Sequence, residues 1–198
     1  MGLNTRWKVL ETRLLADNWG VLMTTRLRVT LSDGRVLDQW RETYDRGDGA
    51  VILPYDPDRR HVLLGRQFRW PAAHRCDPDP HLIEAAAGVL DDADPVTRIR
   101  DEAQEELGLV LTAPRFLFEL YTSPGSVTER LHFFVAEYAA HEAQTRLGGL
   151  RDEGEEIEIL DLPLAEALTM VADGRIRDAK TVILLQHAAL YLMPEARP

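Results

Sequence analysis

The chain has 198 residues, 45% of them hydrophobic and 28% charged, the balance of an ordinary globular protein long enough to bury most of its apolar surface. A formal charge of -10 argues against a nucleic-acid partner, because binding to a phosphate backbone rests on clustered Lys and Arg, and no apolar run approaches the roughly 20 residues that span a bilayer. The lone cysteine, Cys76, excludes an internal disulfide and a zinc-type cysteine cluster; with a start that lacks a signal-peptide core, it predicts a cytoplasmic protein.

Residues Gly20 to Leu31 and Arg35 to Tyr44 alternate apolar and polar side chains around Ser32-Asp33-Gly34. Asp-Gly between alternating runs predicts a hairpin, and with the stretch from Trp7 it predicts an antiparallel β unit of about three strands, ending at Gly47-Asp48-Gly49. Short buried strands follow at Ala50 to Leu53 and His61 to Phe68, joined by a turn over Pro54 to Asp58. Next come a proline-rich loop from Pro71 to Pro80, a strand at Leu82 to Ala87 and a loop opened by Gly88. Proline in the first turn and glycine after the last predict a helix from Pro95 to Leu107 closed by Gly108. The remainder reads as strands near Arg115 to Tyr121 and Leu131 to Tyr138, an acidic loop from Leu150 to Glu156, a strand at Ile157 to Leu160, and helices at Leu164 to Ala172 and Asp178 to Met193. The fold class is α/β, mixed strands flanked by helices plus the small N-terminal antiparallel unit, divided as residues 1–48 and 49–198.

The chemistry concentrates in the helix from Pro95. At helical spacing Glu102 and Glu106 lie one turn apart with Glu105 between them, so three carboxylates converge on one face. Like charges packed that way repel unless a hard divalent cation sits among them, and such a cation can bridge to substrate phosphates. The pattern predicts a Mg2+ site for diphosphate chemistry. Other candidates are weaker: the six histidines lack metal-ligand spacing, and Ser123-Pro124-Gly125-Ser126 lacks the glycine-flanked elbow of a serine nucleophile.

Glu102, Ala103, Glu105, Glu106, Gly108 and Leu109 resemble, in register, the second half of the Nudix hydrolase box. The first half departs twice: the loop from Gly88 is one residue short, leaving Asp94 where the first box Glu would stand, and Asp101 replaces the box arginine. Outside the box, Arg41 to Ala50, Arg66-Gln67-Phe68-Arg69, Leu82-Ile83-Glu84, Leu117 to Tyr121, Ser123 to Glu129, His132-Phe133-Phe134 and Ile176 to Thr181 resemble the GDP-mannose pyrophosphatase family, a Nudix branch with the same shortened loop. The resemblance implies a Nudix α/β/α sandwich that hydrolyses the diphosphate bond of a nucleotide sugar, with Mg2+ or Mn2+ held by Glu102, Glu105, Glu106, Glu155 and the Ala87 carbonyl. Catalysis would fall to Glu102, Glu106 and Glu155, with either Glu155 or a box glutamate as the general base. Substrate contacts would come from Trp19, Arg41, Glu42, Arg69, Glu129 and Lys180. It also implies a homodimer with a swapped N-terminal unit, without nucleic acid or membrane partners. Two rival functions stand beside this one: an ADP-ribose or ADP-sugar pyrophosphatase, and a Nudix-derived sensor that binds nucleotide without cleaving it, for which Asp101 is the argument.

Overall fold

A computed structural model describes residues 6–143, 146–150, 152 and 154–194. The chain divides into two units, one of residues 1–48 with Tyr121–Arg130, the other of Gly49–Leu120 with residues 131–198.

The first unit is a three-stranded antiparallel sheet of β1 (Trp7–Asp17), β2 (Val21–Thr30) and β3 (Val36–Asp45), in that order. Its hairpin turns where Asp-Gly predicts: the Leu31 N–H donates to the Arg35 carbonyl at 2.8 Å, and Gly34 has φ 86°. The segment after Tyr121 joins β3 through a parallel bridge between Tyr44 and Val127, with the Tyr44 N–H donating to Ser126 and its carbonyl accepting from Thr128. Only long-range pairing brings 121–130 to this unit, so chain order does not reveal it.

The second unit holds an eight-stranded mixed sheet. Its strands are β4 (Gly49–Asp56), β5 (His61–Phe68), β6 (His81–Glu84), β7 (Ala86–Val89), β8 (Arg115–Tyr121), β9 (Arg130–Glu137), β10 (Leu147–Gly148) and β11 (Ile157–Pro163). The main path runs β10-β11-β5-β4-β9-β8, with β6 on β5 and β7 on β4; β4 and β9 are parallel, while β10 with β11, β11 with β5, β4 with β5, β4 with β7 and β5 with β6 are antiparallel. Both faces are covered, because the central strands alternate between two cores. Val51, Leu53, Val62, Leu64, Phe133 and Val135 pack with α3 (Leu164–Ala172) and α4 (Ala179–His187). Ala50, Ile52, Leu63 and Phe134 pack with Ile99, Ala103 and Leu107 of α2 (Pro95–Leu107). The result is an α/β/α sandwich.

Several local expectations need correction. β4 continues through Pro54 to Asp56, because Pro54 falls between the end of the β7 pairing at Ile52 and the start of the β5 pairing at Tyr55, where a missing N–H costs no ladder bond. The proline-rich loop begins with a short helix, α1 (Trp70–His74), with Pro71 in its first turn. The single strand expected over Leu82 to Ala87 is two, broken at Ala85, since β6 pairs β5 while β7 pairs β4. Gly88 therefore lies inside β7, opposite Ala50, and opens no loop. β11 runs on to Pro163, and the last helix leaves α geometry at His187 for a π-helical turn over Ala188–Leu192. The acidic loop is described at Leu150, Asp152 and Gly154 to Glu156; Arg151 and Glu153 lie outside the described residues.

Candidate active site

Helix α2 sets the site. Asp94 caps it, accepting from the Thr97 N–H at 3.1 Å, and Gly108 closes it in the left-handed conformation at φ 67°. So the position that the shortened loop gives to Asp94 is a helix cap. From that fixed start, Glu102 and Glu106 fall on the buried face and Asp101 on the exposed one.

Two strands bring backbone against these carboxylates. Glu102 packs directly on Gly88 of β7, where any Cβ would collide with its carboxylate. One residue earlier, the Ala87 N–H donates to Glu106 Oε2 at 3.0 Å. On the other side Gly148 of β10 lies against the Glu106 carbonyl so closely that a Cβ would overlap it, and the Gly149 N–H donates to the Glu105 carbonyl at 2.8 Å. That contact delivers the loop bearing Glu155, which closes on itself through the Glu155 N–H donating to Leu150 at 3.1 Å.

Burial, reinforced by the Glu102 charge and more weakly by Glu155, pushes the Glu106 carboxyl up to about 8, against the opposing Ala87 N–H and Arg69. A cation would relieve that cost, so the donor set fits a hard divalent ion. Among the described residues no group of three or more His, Cys, Asp or Glu side chains is placed to hold a metal ion. The structure brings together Glu102, Glu106 and, at electrostatic range, Glu155; Glu105 is half-buried.

The expected substrate residues fall in both units. In the second, Arg69 and Lys180 meet on one carboxylate, Glu84 at the end of β6. Arg69 grips it with Nε at 2.7 Å and Nη2 at 3.2 Å, and Lys180 binds its Oε2. Arg69 also lies within electrostatic reach of Glu106. In the first unit Trp19 is 76% exposed, with the Arg46 guanidinium 5.4 Å above its ring. Arg46 in turn donates to buried Glu129 at 2.8 Å and 2.5 Å, and Thr122 donates to the other Glu129 oxygen. Arg41 and Glu42 are consecutive in β3 and exposed, so their side chains leave opposite faces of the sheet; Arg41 is held by Gln39 and the Trp40 carbonyl.

Residues 6–44 match the family model described as the GDP-mannose pyrophosphatase NudK N-terminal domain. A GDP-mannose pyrophosphatase of Cronobacter sakazakii is 47% identical over 190 residues, covering 96% of this chain and 97% of that one. The chain belongs to the GDP-mannose pyrophosphatase family. The GDP-mannose pyrophosphatase of Escherichia coli K12 is 44% identical over 179 residues, 90% and 93% of the two chains. The fold is also that of a crystal structure of an ADP compounds hydrolase, TM-score 0.72 over 95% of both chains at 19% identity.

Within this family the departure at Asp101 has a structural counterpart. Arg98, one turn before Glu102, ion-pairs with it while Arg98 Nε donates to the Val89 carbonyl at 3.1 Å. A guanidinium thus ties Glu102 to β7 from another position of the helix. Arg98 on Glu102, Glu84 on Arg69 and Lys180 and, in the first unit, Arg46 on Glu129 are partners that sequence reasoning did not name. The i to i+4 spacing of Arg98 and Glu102 was a signal for the first; the other two depend on contacts between residues far apart in the chain.

Proposed function

We propose that this chain hydrolyses the diphosphate bond of a nucleoside diphosphate sugar, GDP-mannose to GMP and mannose 1-phosphate, a reading supported by relatives named GDP-mannose pyrophosphatase. The observation that carries the reading is the buried, mutually repelling pair Glu102 and Glu106 with Arg69 in electrostatic reach, anionic ligands beside a phosphate-binding cation. Glu102 and Glu106 would hold the metal, with Glu105, Glu155 and the Ala87 carbonyl as further ligands. A bound divalent cation, Mg2+ or Mn2+, supplies neutralisation of charge on the phosphate oxygens and acidification of the attacking water. Glu155 accepts the proton as the water oxygen bonds to phosphorus and the bond to the leaving phosphate oxygen breaks. Arg69 and Lys180 bind the diphosphate oxygens, and Trp19 stacks the base, a contact open to any purine.

The exposed Trp7, Leu14, Val36 and Trp40 of the three-stranded sheet support a further part of the proposal: this unit pairs two copies and carries Trp19, Arg41 and Glu42 as substrate contacts in the dimer. Sedimentation should give a dimer at micromolar concentration, and a monomer throughout would remove this part. The described residues include no helix long and apolar enough to cross a membrane, and Cys76 is a free thiol, which supports a cytoplasmic setting.

The test is to incubate the protein with equimolar GDP-mannose, ADP-ribose and ADP-glucose, with Mg2+ and with chelator, and to resolve the products by ion exchange. Metal-dependent GMP should dominate. Dominant AMP would move the chain to ADP-sugars, and binding without cleavage would make it a sensor. Glu102→Gln should abolish turnover with the circular dichroism spectrum unchanged.

A further inference from the structure

We propose that Glu84 is a positioning residue, holding Arg69 and Lys180 in the orientation in which they receive the substrate's diphosphate; this deepens the proposed function and rests on it. Glu84 is 4% exposed, and its two oxygens take the forked Arg69 contact while Oε2 also takes Lys180. The fork uses Nε and Nη2 of Arg69, and the Arg69 side chain keeps 38% of its exposure. A planar guanidinium gripped along one edge has its opposite edge fixed in direction.

The second cation is fixed from two sides. Lys180 also ion-pairs with Asp178 Oδ1 at 3.0 Å, and Asp178 caps α4, accepting from the Thr181 N–H at 3.0 Å and the Thr181 hydroxyl at 2.6 Å. That hydroxyl accepts from the N–H of Ala85, the residue after Glu84, at 2.7 Å. So β6 and α4 are pinned to each other at adjacent residues, and the two long cationic side chains converge on the carboxylate between them. Arg and Lys side chains each lose much rotamer freedom when a ligand immobilises them, and a buried carboxylate that orders both beforehand removes that cost from substrate binding. The four side chains Arg69, Lys180, Glu84 and Asp178 are charge-balanced, which offsets the cost of keeping the buried Glu84 carboxylate ionised without substrate.

The opposite role would be competition, Glu84 occupying cations that the diphosphate needs. The experiment separates the two. In the full-length protein, Glu84→Gln keeps the side-chain shape and removes the charge that holds the fork. Positioning predicts that KM for GDP-mannose rises about tenfold with a smaller change in kcat, and that GDP binding measured by calorimetry weakens more than GMP binding, because only GDP presents two phosphates. The rise in melting temperature on adding Mg2+ should match the wild type, since the carboxylate cluster is untouched. An unchanged or lowered KM, or equal weakening of GDP and GMP, overturns the proposal. Should Glu84→Gln fail to fold, Arg69→Lys, which keeps the charge and loses the fork, must show the same selective loss for GDP. Wild-type protein that binds GDP without cleaving GDP-mannose sinks the hydrolase reading alone, and the GDP and GMP comparison still decides the role of Glu84; wild-type protein that binds neither nucleotide sinks both.

Discussion

Gly88 shows how one residue decides whether the carboxylates are usable. It lies in β7 with the Glu102 carboxylate against its Cα, so the missing Cβ is the space that Glu102 fills. Gly88→Ala should push Glu102 away from β7 and from its Arg98 partner, with turnover falling at least about a hundredfold, while the sandwich cores, which do not include Gly88, keep the protein folded. Wild-type turnover in that variant would show that the contact is dispensable. Arg98 carries the complementary argument. An arginine N-terminal to its glutamate at i to i+4 is the less favourable order along a helix, and a cation near the N-terminal end opposes the helix dipole. Its further bond to the Val89 carbonyl is a gain outside the helix that offsets both costs.

At the level of elements, α2 couples stability to the site because the same helix that buries Ile99, Ala103 and Leu107 presents Glu102 and Glu106. Its cap matters accordingly. Asp94→Ala should cost about 1 kcal/mol, read as a lower denaturation midpoint at unchanged slope, since Asp94 accepts from both the Thr97 N–H and its hydroxyl. No change in midpoint would mean that water caps the helix equally well. This helix was legible from end to end because its signals are local: Pro95 in the first turn, Gly108 after the last, and carboxylates at helical spacing. The β6 and β7 region was not, because a strand that changes partners at Ala85 has the same local composition as one that does not. Likewise β4 extends past Pro54 for a reason that lies in its neighbours.

For the molecule as a whole, acid should loosen the second unit through Glu84. Its carboxyl is held down to about 2 by Lys180 and Arg69 despite burial, from an ordinary 4.5. Because the folded value lies below the unfolded one, the stabilisation is complete above about pH 4.5 and is lost as pH falls toward 2, a total of about 3 kcal/mol. Denaturant titrations from pH 6 to pH 2 should show this loss in the wild type and a shallower one in Glu84→Gln; parallel curves would remove Glu84 as its source.

Taken alone, the amino-acid sequence determined the alternation that gives the N-terminal hairpin, the helix bearing Glu102 and Glu106, and the family, since each rests on residue types at short, fixed spacing. Only the tertiary structure decided that Arg69 and Lys180 share Glu84, that Arg46 joins Trp19 to Glu129, and that Gly148 brings the Glu155 loop to α2. Such contacts join residues from 15 to 96 positions apart, and their pairing is set by strand register and by packing between elements, which local residue patterns do not encode.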